Sequence, residues 1–502
     1  MSWKNKLAAG AAVAALAWPA LAAADEATDA RIKALEEQLQ LLQSQIADLK
    51  QSTTSNVAAV RKDATATTVS LNNGRPTFSS ADGRFTASLR GIFQLDAVQY
   101  DQGAPGPLAS DFRRGSLGDA TENERARDLG DGANFRRARI GIEGKAFGDF
   151  EYNFLYEFGG TGNEEAGKIS AAWVQYNGLG PARLRVGAFP PPIGLEADAP
   201  VSGSLFAERA APAELVRSIA AGDGRTAAGL FANGERWTAA ASYTGNTVGV
   251  QSFDEQSAFV GRFAFVPFKR DDALIHLGLN TSIVFNPAAS GPDVAGGAVT
   301  AIRLRERPEL RVDATRLVDT GSMDADGLTT IGGELGAQWK NLYLQTEYFD
   351  IDVERKGALS DAGFSGWYAQ VGWTLTGEAR RYSVGSGAFD APRPAKPFDL
   401  KTGGWGAWEL GLRYSNLDLN YREGAAGGPL AAGAIRGGEQ EIFTVGLNWY
   451  LNNVLRFQAA YQDVSVDRLS PGGTAFGTST PPAGAQVGQD LQIYSLRTQY
   501  AF

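Results

Sequence analysis

From about residue 84 to the C-terminus, apolar and polar side chains alternate with a period of two. In RFTASLRGIFQLDAVQY, Phe85, Ala87, Leu89, Phe93, Leu95 and Ala97 share one parity, and Thr86, Ser88, Arg90, Gln94 and Asp96 share the other. Successive side chains of a strand point to opposite faces, so the segment has one apolar and one polar face. DFEYNFLYEF repeats the pattern with Phe150, Tyr152, Phe154, Tyr156 and Phe158 against Glu151, Asn153 and Glu157, and the last residues repeat it with Tyr494, Leu496, Tyr500 and Phe502. Comparable runs lie near 135–147, 168–178, 182–189, 225–232, 236–252, 257–267, 273–285, 300–315, 329–340, 342–355, 364–377, 404–421, 439–450 and 453–467. The count is sixteen or seventeen runs; single-chain membrane barrels have even numbers, so the expectation is an all-β, 16-stranded antiparallel transmembrane β-barrel.

The connections support this. Asn341 and Leu451-Asn452-Asn453 are tight turns, whereas 101–132, 190–224, 286–299, 378–403, 422–437 and 468–489 are long and rich in Gly, Pro and Asp. Short turns at one end and long loops at the other are the outer-membrane pattern. Trp339, Tyr343, Trp405, Trp408, Trp449 and Tyr450 near strand ends suit interfacial girdles. Whole strand faces of Phe and Tyr would be costly against water, which disfavours an exported soluble sandwich.

Residues 25–52 follow a different rule. Ile32, Leu35, Leu39, Leu42, Ile46 and Leu49 are spaced 3, 4, 3, 4, 3, an a/d heptad seam. This predicts a short coiled-coil helix that assists oligomer assembly, since nothing adjacent offers a helical core. Residues 53–83 read as a linker rich in Ser, Thr, Asn and Ala. Residues 1–24, with Lys4, Lys6, an apolar run and Ala22-Ala23-Ala24, have the form of a cleaved secretory signal.

Composition narrows the chemistry. The 502-residue chain has no Cys and one His, His276. A disulfide framework, a Cys-based site and a His-cluster metal site are thereby excluded. A Ser-His-Asp triad would need His276, which sits in the strand-like run ALIHLGLN with no nucleophile elbow nearby. The expectation is therefore no enzyme, no cofactor, no metal and no nucleic-acid partner. The chain is acidic, with 56 Asp and Glu against 47 Lys and Arg. Yet AIRLRERPELR places Arg303, Arg305, Arg307 and Arg311 on one parity. Toward lipid such charges would cost ~2–4 kcal/mol each near the midplane, so they belong in the lumen or in a loop above it. Guanidinium is permanently charged and matches the oxygens of phosphate and carboxylate. The competing reading is that these arginines pair with lumen acids such as Glu309 or Asp313 and stiffen the barrel. Arg136 and Arg137 have opposite parities and cannot both face inward on a regular strand, which predicts a bulge or a bent end there.

Several segments together resemble the phosphate-selective porin O/P family: FRRARIGIEGKAFGDFEYNFLYEF, RLRVGAFPPPIGLE, AERA, WYAQVGWTLTGEAR, GGWGAWELGLRYSNLDL, TVGLNWYLNNVLRFQAAY and the terminal YAF. The resemblance covers nearly all of 84–502. It implies a homotrimer of sixteen-stranded barrels in the bacterial outer membrane, each narrowed by one inserted loop, here about 190–225. It further implies a ladder of arginines at Arg303, Arg305, Arg307 and Arg311 that conducts small anions, with Arg136, Arg137 and Arg209 matching further family arginines. The chain departs from the family's phosphate-specific members at three basic positions, which here are Ala197, Ile92 and Glu151. These readings leave a passive anion-preferring porin first. A general or carbohydrate-type diffusion porin and a structural outer-membrane tether are the alternatives.

Overall fold

The computed structural model describes residues 26–65, 67–72, 74–102, 129–159, 167–250, 252–289, 300–472 and 483–502. The expected signal segment, and most of the 101–132 connection, lie outside them. Two compact units are present, one ending at Ala66 and one running from Thr67 to Phe502.

The first unit is helix α1, Glu26–Thr65. It runs past the expected end at residue 52. The polar residues there do not break it, because Ser52 Oγ and Thr54 Oγ1 donate back to the carbonyls of Leu49 and Lys50. Leu35, Leu39, Leu42, Ile46 and Leu49 are all exposed. The expected linker also contains an antiparallel hairpin, Thr67–Asn72 with Arg75–Ser80, whose second arm pairs with the start of the barrel's first strand.

The second unit is a closed antiparallel barrel of sixteen strands. They are β1 (Thr86–Gln102), β2 (Gly132–Ala146), β3 (Phe150–Glu157), β4 (Lys168–Leu179), β5 (Ala182–Ala188), β6 (Arg225–Asn233), β7 (Trp237–Thr247), β8 (Ser257–Lys269), β9 (Ala273–Asn286), β10 (Met323–Trp339), β11 (Leu342–Arg355), β12 (Ala362–Thr374), β13 (Ala407–Tyr421), β14 (Ile435–Tyr450), β15 (Leu455–Asp467) and β16 (Leu491–Ala501). Pairing of β16 with β1, in which Arg497 faces Asp96, closes the cylinder and leaves no free edge. The alternation seen in the sequence is the wall itself. Leu89, Leu95, Ile140, Phe154, Leu184 and Leu496 are exposed on the outer face, while Gln94, Asp96, Arg137, Glu157 and Arg497 are buried inside.

Three sequence expectations need correction. The alternating stretch 300–315 is not a barrel strand. It belongs to the connection between β9 and β10, where Thr300 bridges Ala289, Ala301–Ile302 pairs with β10 and Arg305–Glu306 pairs with Val318–Asp319, each over one or two residues. Its alternation has another cause: Leu304 and Leu310 are buried among loop and wall residues, and the chain bends after Pro308 with Glu309 at φ 58°. Tyr343 and Tyr450 do not join a girdle. Both rings point inward, with Tyr343 OH on Gln345 and Tyr450 OH donating to Glu409 Oε2 at 2.8 Å. Finally, the long connection 375–406 joins β12 to β13 at the end of the barrel that carries the tight turns, not at the loop end.

Two segments fill much of the interior. Segment 189–224, between β5 and β6, carries helix α2, Ala211–Ala220, with Ala213, Leu215 and Val216 buried. Segment 375–406 packs Phe389 against Tyr343, beside Leu195 and Leu205 of the first segment. The wall makes room with glycines. A Cβ at Gly411 would lie 3.0 Å from Leu205, and one at Gly446 3.0 Å from Phe206. Arg262 ties both segments to β10. It donates to Glu334 at 2.9 and 2.7 Å, to Asp198 at 2.6 Å and to the carbonyls of Ser386 and Gly387.

Candidate functional site: an arginine-lined chamber

Toward the loop end lies a chamber of about 920 Å³. Its walls come from β2, β3, β4 and β6, from α2, and from the 301–316 part of the β9–β10 connection. Eleven basic side chains line it against four acidic ones, Glu157, Glu214, Asp223 and Glu306. The basic set comprises Arg136, Arg137, Arg139, Lys168, Arg217, Arg225, Arg303, Arg305, Arg307, Arg311 and Arg316. Six of the seven sequence-singled arginines are thus in one cavity. Arg209 lines an adjoining small pocket instead.

The four arginines of 303–311 differ in exposure and in partners. Arg303 is half exposed and donates through Nε to Asp319 Oδ1 at 2.7 Å. That contact raises the Arg303 guanidinium, and it draws Asp319 down against the upward pull of burial. Arg305 is exposed in the chamber wall and makes no ion pair with a described residue. Arg307 is buried, and its carbonyl accepts from Gln440 Nε2 at 3.2 Å. Arg311 Nη2 donates to Glu214 Oε1 at 2.6 Å. Of the acids named from sequence as possible partners, Glu309 pairs with Arg413 beside Arg307 and Arg311, and Asp313 accepts from the Gly130 amide at 2.7 Å.

Arg136 and Arg137 do both face inward. The register with β1 slips between Gln94 and Leu95, so Arg136 is the extra residue of a bulge. Arg136 reaches Glu208 twice, Nε at 2.7 Å and Nη2 at 3.0 Å. Arg137 Nη1 donates to Gln94 Oε1 at 2.7 Å and stands 3.6 Å from Glu208. Arg209 is spent on its own segment: it donates to Glu214 Oε2 at 3.0 Å and to the carbonyls of Glu196 and Ala197.

Sequence reasoning missed several participants. Arg139 shares Arg137's parity in FRRARI, so a parity count on that motif finds it; it pairs with Glu157 and, at 2.6 Å, with Asp223. Arg217 on α2 pairs with Glu214 and Asp223. Arg497 on β16 donates to Asp96 and, at 3.0 Å, to Glu208. Arg217–Glu214 is a local i,i+3 pair within α2, but the other contacts join residues outside any one element, so no local signal marks those acids. Burial pushes Glu214 up, but Arg217, Arg311 and Arg209 outweigh it and bring the carboxyl down to about 2. Glu306, with weaker compensation, is raised by its burial.

At the turn end the lumen differs. Arg183 Nη2 donates to Asn233 Oδ1 at 2.7 Å, and Arg185 donates to Gln175 Oε1 at 3.0 and 2.8 Å. The Arg185 guanidinium lies 4.1 Å from the Trp173 ring centre and 4.7 Å from that of Phe231. Of the departures noted in sequence, Ile92 is buried on the inner face, Ala197 accepts from Arg209, and Glu151 accepts from Gln175 Nε2 at 3.2 Å. His276 is buried on β9 between Tyr382 OH (2.6 Å) and Glu334 Oε2 (3.0 Å), helping to hold segment 375–406.

The model of the family described as phosphate-selective porin O and P matches residues 106–502. Porin O of Pseudomonas aeruginosa is 27% identical over 78% of this chain and 86% of its own length. A protein of Caulobacter vibrioides is also 27% identical, over 80% of this chain and 72% of its own. Among solved structures, an anion-selective porin from Comamonas acidovorans aligns with a TM-score of 0.46 at 14% identity, covering 83% of this chain and all of that one.

Proposed function

The chain belongs to the phosphate-selective porin O and P family of bacterial outer-membrane barrels, and from that premise we propose that it conducts small oxyanions passively through the arginine-lined chamber. The single observation behind this reading is the excess of basic over acidic side chains around a cavity large enough for a hydrated anion. Arg303, Arg305, Arg307, Arg311, Arg136 and Arg137 contact the anion in this reading. Arg209 instead fixes the segment that narrows the pore. Conduction needs each contact to attract the anion and still release it. Partial pairing with acids serves that end, because it keeps any one arginine from holding phosphate too tightly. In this reading the substrates are phosphate, pyrophosphate or a related oxyanion, and the barrels assemble as a homotrimer aided by the α1 seam.

The test is the zero-current potential of the reconstituted protein in a KCl gradient, followed by phosphate titration. An anion-side potential with saturable block of chloride current is expected. Arg305→Glu reverses an exposed charge in the chamber wall and should lower the anion preference several-fold. Equal permeability to K⁺ and Cl⁻ in the unmodified protein would overturn the proposal. It would favour a general or carbohydrate-type diffusion porin, a reading that draws on the salt bridges of Arg136, Arg139, Arg217, Arg303 and Arg311. For the seam, Leu42→Asp should weaken self-association of the full chain in sedimentation while leaving single-channel conductance unchanged. Unaltered association would remove α1 from assembly.

A further inference from the structure

Glu208 is the common target of four guanidiniums that arrive from three separate parts of the fold. Arg136 and Arg137 come from β2, Arg497 from β16 and Arg311 from the β9–β10 connection. Their distances are unequal. Arg136 and Arg497 reach it at 2.7 and 3.0 Å, within hydrogen-bond range, while Arg137 and Arg311 stand at 3.6 and 3.7 Å, attracted but not bonded. The Arg137 Nε is buried and has no hydrogen-bond partner. One carboxylate therefore serves more donor groups than its geometry satisfies. Burial alone would raise the Glu208 carboxyl, yet the four guanidiniums hold it well below the usual carboxylate range. Arg136, Arg137 and Arg311 also line the chamber, whereas Glu208 lies behind them in the adjoining pocket. The node is thus approached from the chamber through its cations.

We propose that Glu208 is a tethered counter-anion that occupies the arginine node in place of the permeating oxyanion, and that an oxyanion entering from the chamber exchanges with it. This rests on the anion reading above and adds how affinity at that site is set. A phosphate offers more acceptor oxygens than a carboxylate and so answers the donors that Glu208 leaves unmet. Glu208 sits on segment 189–224, so it withdraws by a side-chain or loop movement while the wall arginines stay in place. The exchange involves no covalent step. Its consequence is modest affinity: the resident carboxylate competes with each anion that arrives, which speeds release.

Two measurements on the full reconstituted chain test this, with inorganic phosphate as the probe. In Glu208→Gln, the phosphate concentration that halves chloride current should fall about tenfold, since the competitor and its charge are gone. Unchanged or weaker block, with anion preference retained, would overturn the proposal. Loss of Glu208 also takes from Arg136 and Arg137 the one carboxylate they meet among the described residues, and it loosens the segment, so the second readout is thermal unfolding. Phosphate should raise the melting temperature of Glu208→Gln clearly more than that of the unmodified protein, a rescue by the free anion. Equal shifts in the two proteins would overturn the exchange. If the unmodified channel shows no anion preference, the conduction reading fails, but the phosphate-specific rescue still reports exchange at the node.

Discussion

Two groups of arginines face one lumen and are balanced in opposite ways. At the loop end, Arg136, Arg139, Arg311 and Arg497 each meet carboxylates, and Glu208, Glu214 and Asp223 among them are delivered by segment 189–224 rather than by the wall. At the turn end, Arg183 and Arg185 sit two residues apart on one face of β5 and meet only amide oxygens, with Arg185 also laid between aromatic rings. Neither makes an ion pair with a described residue. The difference shows where the charge of the pore can be adjusted. Loop-end charge depends on what an inserted segment brings to the arginines. The charge of Arg183 and Arg185 is set by the barrel wall, where aromatic faces and amides hold it without cancelling it.

The comparison breaks most visibly in stability. Arg497→Ala strands the buried carboxylate of Asp96 and takes one of four guanidiniums from Glu208, and should cost about 3–5 kcal/mol. Arg185→Ala removes stacking and two hydrogen bonds but strands no charge, so it should cost about 1–2 kcal/mol. Urea unfolding of the purified barrel measures both. Equal losses would mean that the carboxylate pairs at the loop end are no more structural than the amide contacts at the turn end.

How far the sequence disclosed this depended on whether the cause was local. The strand count and tight turns were legible because a two-residue period is written into each strand. The bulge at Arg136 was legible because adjacent arginines of opposite parity cannot share a regular strand face. The fold of 303–311 was not. Leucines buried inside a lumen-filled barrel alternate with arginines just as lipid-facing leucines do, so Leu304 and Leu310 gave the same pattern for a different reason. Tyr343 and Tyr450 misled for a related cause, since an amphipathic ring near a strand end suits a girdle and a buried hydrogen bond equally well. The identity of the acids was out of reach. Glu208 lies far in sequence from all four arginines it meets, and although Glu214 and Asp223 also pair locally with Arg217, only the folded segment brings them to Arg311 and Arg139.

The smallest expected effect separates the acids of segment 189–224 by sign. Burial raises Glu196 to about 7 against the pull of Arg413 and Arg209, with Glu309 adding to the rise. Burial likewise raises Asp198 to about 6 despite Arg262. A folded-state value above the unfolded one means the docked segment holds a proton that the undocked one has lost. Docking therefore weakens as pH rises from about 4 through about 7, and is flat beyond. Glu214 has the opposite shift, down to about 2, so its contribution is present above about 4.5 and is lost as pH falls toward 2. The two trends cross near pH 5. Limited proteolysis within 189–224 should be slowest near that pH, and faster by a few-fold at pH 8 and at pH 3. Greatest protection at pH 8 would mean that Glu196 and Asp198 stay ionised in the docked segment. Their arginine contacts would then outweigh burial, as they do at Glu208, and all the acids that segment 189–224 brings to the lumen would act as fixed counter-charges.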